Sequence, residues 1–166
     1  MLTDLNSPPA EPITLAEAKA FLRVDHDDED ALLETLIRAA REQLEAHLNI
    51  AMISRPMQIA VTGAGAVKLP RWPIVSLDDV AADGVSTQDY TANLRARPAV
   101  VTIAANGPVE IAFTAGYGPS SDDVPAPLRQ AMLLLIAQGF EHRDDSAARL
   151  PLMVDALTMP YRVVGL

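Results

Sequence analysis

Between Ile13 and Arg55 the chain contains no proline, and its first glycine is Gly63. Both residues disfavour helix interiors, one by steric clash and a missing donor, the other by backbone entropy. The first third is therefore free to be helical, and the hydrophobic pattern agrees. Thr14-Leu-Ala-Glu17 matches a capping box, in which the threonine hydroxyl and the glutamate carboxylate each take up a free N–H at a helix start. A first helix is expected from Leu15 to Val24. The run Asp25-His-Asp-Asp-Glu-Asp30 then suits the N-terminus of a second helix, where acids meet free N–H groups and the positive dipole end. In that helix Leu33, Leu36, Ile37, Ala40, Leu44 and Leu48 recur at helical spacing. Glu34, Arg38, Arg41, Glu42 and Glu45 are expected on the opposite, solvated face.

The texture changes after Arg55. Eight of the 13 prolines lie between Pro56 and Pro127, separating short β-branched or alternating runs. Strands are expected at Met57–Thr62, Val67–Leu69, Val75–Val80, Val100–Ile103 and Val109–Ala115. Gly63-Ala-Gly65 is expected as a hairpin turn, with further turns at Asp83-Gly84 and Asn106-Gly107. Pro125-Ala-Pro127 then opens a third helix, Leu128–His142, whose run Ala131–Ala137 is apolar on every side. Such a helix belongs at the centre of a core or against a neighbouring subunit. A short helix follows at Leu152–Thr158, and Pro160 should end it and leave an extended apolar terminus. The expected class is α+β, a small helical bundle of three main helices plus a short C-terminal helix, with a β-rich insertion between the second and third helices. The 166 residues make one domain, with 13–55 helical, 56–118 the β-rich insertion, 125–143 the core helix and 144–166 the C-terminal tail.

Composition narrows the function. The chain has no cysteine, so disulfides, thiolate nucleophiles and cysteine-based metal sites are excluded. A formal net charge of -9, with aromatics at 4%, opposes a surface built to grip nucleic acid. The 13 lysines and arginines are scattered singly and form no basic run. No apolar stretch approaches the roughly 18 residues of a membrane span, and the N-terminus carries an acid where a signal peptide needs lysines.

Motifs for chemistry are missing as well. The acidic run at Asp25 has Asp30 and Leu36 where an EF-hand needs glycine and glutamate, so helix capping is the better account. His26, His47 and His142 lack the paired spacing of metal ligands, and Gly63-Ala-Gly65 lacks the phosphate-loop pattern. Ser7, Ser54, Ser76, Ser86, Ser120, Ser121 and Ser146 lie outside any G-x-S-x-G elbow. Asp122-Asp123 and Asp144-Asp145 read as solvated caps. No catalytic residue, cofactor or metal is assigned.

Read in order, Pro12-Ile-Thr-Leu-Ala-Glu-Ala-Lys19, Phe21-Leu-Arg-Val-Asp25, Asp27-Asp-Glu-Asp-Ala-Leu-Leu33 and Ile37-Arg-Ala-Ala-Arg41 resemble the opening of phage head-to-tail connector proteins. Phe113-Thr-Ala-Gly-Tyr-Gly118, Val124-Pro-Ala-Pro-Leu-Arg-Gln-Ala131 and Pro160-Tyr-Arg162 resemble the second half of the same family. Phe140 stands where that family often has tryptophan or tyrosine. The resemblance implies a non-enzymatic subunit of a phage, prophage or gene transfer agent, located in the particle neck and assembled in the bacterial host cytoplasm. Implied partners are the portal protein, a downstream head-completion, stopper or tail protein, and further copies of the chain in a twelve-fold ring that extends the DNA channel without binding the DNA specifically; no membrane is implied. Met159, Pro160, Tyr161, Arg162, Val163, Val164 and Leu166 are the expected portal-docking residues, since apolar anchors around an arginine on an extended segment suit addition to a partner's surface. On that reading the tail is dispensable for the chain's own fold. The alternative is a small soluble enzyme or a monomeric binding module whose site is assembled from residues distant in sequence. Portal, capsid and tail genes beside this one would separate the two.

Overall fold

Thr14 opens helix α1 (Leu15–Leu22) as the sequence predicts: its hydroxyl accepts from the Glu17 N–H, and the Glu17 carboxylate accepts from the Thr14 N–H at 2.8 Å. The computed structural model describes residues 1–63, 65–142 and 150–163. Helix α1 ends at Leu22, two residues earlier than expected, with Arg23 as its C-cap in the left-handed region. Helix α2 spans Asp30–Leu48, α3 Ala126–Glu141 and α4 Leu152–Thr158. The acidic run does start α2 and puts Asp30 in its first turn, at the positive dipole end, but it supplies no side-chain cap, since Glu29 at the N-cap makes no capping bond. Asp27 and Asp30 instead both hold Lys19, tying α1 to the start of α2. Of α3, only the stripe Leu128, Ala131, Met132, Leu135 and Ile136 is fully buried. Its other apolar residues are partly covered, so the helix is central to its core but not enclosed on every side.

The β part forms two antiparallel sheets. Strands β1 (Leu2–Asp4), β2 (Arg55–Thr62), β4 (Ile74–Ala82), β5 (Val85–Ser86) and β8 (Pro108–Ala115) build the larger sheet, in the order β1-β2-β8-β4-β5. Strands β3 (Gly65–Lys68), β6 (Tyr90–Asn93) and β7 (Val100–Ile103) build the smaller one, in the order β3-β7-β6. The class is α+β, but the β part is not wholly an insertion: β1 precedes every helix and pairs with β2. Three residues are too few for a readable alternation, which is why the sequence did not announce it. Gly63-Ala-Gly65 is likewise no hairpin turn, since β2 and β3 belong to different sheets. Gly63 N–H instead donates to the Gly107 carbonyl at 2.9 Å, another point where the chain passes between sheets. Asp83-Gly84 does make the expected tight hairpin, both residues having positive φ between the paired Ala82 and Val85.

Burial falls into two clusters. Ile13, Leu33, Ile37, Leu44, Leu48, Leu128, Met132 and Ile136 form the helical core. Met57, Val80, Val101, Ile103, Ile111 and Phe113, drawn from both sheets, form the β core. The fully buried stretch Ile50–Ile53 threads between them, giving Ile50, Met52 and Ile53 to the first and Ala51 to the second. Gly116 holds this junction from the other side. It has φ +143, and an added Cβ would lie 2.4 Å from the Ser54 backbone. Gly116→Ala should therefore cost about 2 kcal/mol or more, as a strained backbone and a backbone clash combine. Urea denaturation checks this, and a loss under about 0.5 kcal/mol, the size of an ordinary surface change, would refute it.

The C-terminal residues are not a free extension. Met159–Tyr161 form a single 3-10 turn on the end of α4. Tyr161 then packs on the helical core and edge-on to Tyr117, while Val163 is buried and donates its N–H to the Leu48 carbonyl at 2.9 Å. Asn49 Nδ2 donates to the Val163 carbonyl at 3.1 Å. Pro160 does stop the α-helix, but the chain folds back onto the end of α2, where the Val163 N–H meets a helix-terminal carbonyl that has no donor within its own helix.

Candidate functional site

Two surfaces concentrate unusual chemistry. The first is a cleft of about 940 Å³ between the N-terminal segment Asp4–Thr14 and α2, with Arg55 and Arg71 on its wall. Arg41 and Glu45, expected on the solvated face, are buried here. Arg41 donates to Glu11 at 2.8 Å and to Glu45 at 3.2 Å. Arg55 places one Nη on each oxygen of Glu45, at 3.0 and 2.9 Å, and also reaches Asp4. Glu45 further accepts the Met52 N–H at 2.7 Å. Burial works against the Arg55 charge, but the bonds and fields of Glu45 and Asp4 hold its pKa above the ordinary value. The network fastens β1, α2, the Ile50–Ile53 stretch and β2 together and fixes the cleft walls.

Arg129 of α3 reaches back to the same N-terminal region, pairing with Glu17 and donating to the Pro12 carbonyl. The Thr14 N–H, outweighing desolvation and helped by Arg129, keeps the Glu17 carboxyl below its ordinary pKa.

The second surface is the outer side of α4. Leu152 is 90% exposed, Met159 73% and Met153 64%, although Val154 and Thr158 of the same helix are buried. A chain of aromatic contacts runs from it along the helical core. Arg97 stacks over Trp72 at 3.5 Å, Trp72 meets Tyr117 edge-on, and Tyr117 meets Tyr161. Burial pushes the Tyr117 phenol up to about 12.

Of the expected docking residues, Met159, Pro160 and Arg162 are exposed, Tyr161 is half-buried and Val163 is buried. Val164 and Leu166 lie outside the described residues. The structure thus brings Met159, Pro160 and Arg162 beside the α4 surface and turns Tyr161 and Val163 inward. Sequence reasoning missed Leu152 and Met153, and it missed the convergence of Arg41, Arg55 and Arg71. A signal for the buried pair existed: Arg41 and Glu45 continue the i+4 row from buried Ile37, at the flank of the apolar stripe. No comparable signal marked Arg55 or Arg71. His26 lies near Asp28, His47 near Asp155 and His142 at the end of α3, and no group of three or more potential metal ligands occurs among the described residues. Nor is any helix among them long and apolar enough to cross a membrane.

Comparison with known proteins gives two results. Residues 12–89 match the family described as phage gp6-like head-tail connector protein. Solved structures match over the whole chain. A chain in the neck of a native gene transfer agent particle, computed with C12 symmetry, is 30% identical, with a TM-score of 0.81, covering 100% of this chain and 97% of that one. Chains in the neck of an empty particle computed with C6 symmetry, and in the virion of a native particle, are each 29% identical with a TM-score of 0.83 and the same coverage. No curated protein matches.

Proposed function

This chain belongs to the phage gp6-like head-tail connector family, and from that membership we propose that it is one subunit of a neck ring seated beneath the portal. The observation that carries the proposal is the full-length likeness, at 30% identity, to a chain in the neck of a gene transfer agent particle. The family is a structural one, and the subunit is a single connector unit that performs no chemistry. Twelve copies extend the DNA channel and receive the next head-completion or tail component, within a particle neck assembled in a bacterial cytoplasm.

Portal docking uses the exposed edge made by Met159, Pro160 and Arg162 with Leu152 and Met153 of α4. Exposed apolar side chains around an arginine are the composition of an interface centre rather than of a free surface. Tyr161 and Val163 support that edge from beneath. The double substitution Met159→Asp with Arg162→Glu should leave thermal stability within about 0.5 kcal/mol, because both side chains are exposed. It should also remove the protein from purified particles, leaving heads without tails. Normal incorporation would place docking elsewhere.

DNA passes through such a ring without being held. A net charge of -9 leaves phosphates little to pair with. At about 150 mM salt, where screening already weakens non-specific complexes, a mobility-shift assay should show no micromolar binding to duplex DNA. A micromolar complex would overturn the charge argument.

A further inference from the structure

Arg71 sits on the cleft wall beside Arg55 but does not share its carboxylates. Among the described residues its Nε is buried without a partner, and its one hydrogen bond runs from an Nη to the adjacent Pro70 carbonyl at 3.2 Å. Glu45 and Asp4 are near enough to be felt, yet both are engaged by Arg55. A partly buried guanidinium whose Nε meets neither water nor a partner weighs against the free chain, and a carboxylate arriving in the cleft would offset that penalty.

We infer that Arg71 is the receptor for a carboxylate of a second copy of this chain, inserted into the cleft at the contact between ring subunits. The inference rests on the ring reading above and names one of its contacts. A guanidinium offers a planar fork that fits a carboxylate with two parallel bonds. A second copy fits because the chain carries 22 acids against 13 bases and so presents a surplus of carboxylates. Asp28, on the exposed turn before α2, is one such group, with the His26 imidazole 3.8 Å away. In a ring closed by head-to-tail contacts, a cleft on one face meets a different patch on the neighbour.

The test is Arg71→Met in the full chain, with Arg71→Lys beside it. Met fills a similar volume without charge, so the free protein should melt at or above the wild-type temperature. Ring assembly, followed by sedimentation at rising concentration and on isolated portal, should weaken about tenfold or more, as expected when one partner of a buried charged contact is lost. Lys keeps the charge but not the fork, and should weaken assembly by an intermediate factor; if the Met variant fails to fold, a weakened Lys variant with wild-type melting still supports the inference. A lower melting temperature with unchanged assembly would make Arg71 a purely internal residue and overturn it, leaving the ring reading intact. Wild-type protein that forms no ring at any concentration or on portal would overturn both. Duplex DNA or inorganic phosphate binding that disappears in the Met variant would assign the cleft to phosphate instead.

Discussion

A Glu45→Ala chain is expected to lose about 3–5 kcal/mol of stability, the range seen when one partner is taken from a buried ion pair. That is a large share of the 5–15 kcal/mol typical of a domain. The residue is only 3% exposed, and its two oxygens hold Arg41, Arg55 and the Met52 N–H at once. Removing it leaves the Met52 N–H without its acceptor and two buried arginines with only the less buried Glu11, Glu42 and Asp4 to pair with. The triple variant Arg41→Met, Glu45→Met, Arg55→Met should recover much of the loss, because apolar groups of similar volume bear no desolvation cost. Urea denaturation of the three proteins decides the matter. A single-variant loss below about 1 kcal/mol, the value of an exposed pair, would mean that water reaches Glu45.

Ending the chain at Pro160 is expected to cost about 3–5 kcal/mol, from one buried valine, most of a tyrosine and two hydrogen bonds to the end of α2. This reverses the expectation from sequence that the tail is dispensable for the fold. The truncated protein should show a lower melting temperature, with assembly lost as a consequence. Unchanged melting would mean that Tyr161 and Val163 leave the core readily, as a docking arm would. The truncation therefore cannot locate the portal contact by itself, and the exposed pair Met159 and Arg162 is the cleaner test.

Much of the secondary structure was legible because it is set by local rules. The capping box at Thr14, the apolar stripe from Leu33 to Leu48, the helix Leu152–Thr158 and the strand Val100–Ile103 all appear where spacing placed them. The tight turn at Asp83-Gly84 was legible for the same reason, since a two-residue hairpin needs positive φ at both positions. The two-residue strand β5, by contrast, has too few positions to show alternation.

The site was less legible. Arg41, Arg55 and Arg71 look like isolated cations along the chain, and only the return of the strand after α2 beside the N-terminal segment gathers them around Glu45 and the cleft. Likewise, nothing local to Tyr161 or Val163 says whether an apolar terminus covers its own core or waits for a partner. By itself the sequence determined where α1 starts, where the proline-separated strands begin, and a net charge of -9, because caps, periodicity and net charge act over a few residues or over the whole sum. Tertiary structure alone decided which charges are buried, which sheet each strand joins and which way the tail turns, because each of those depends on what a distant segment brings within hydrogen-bonding reach.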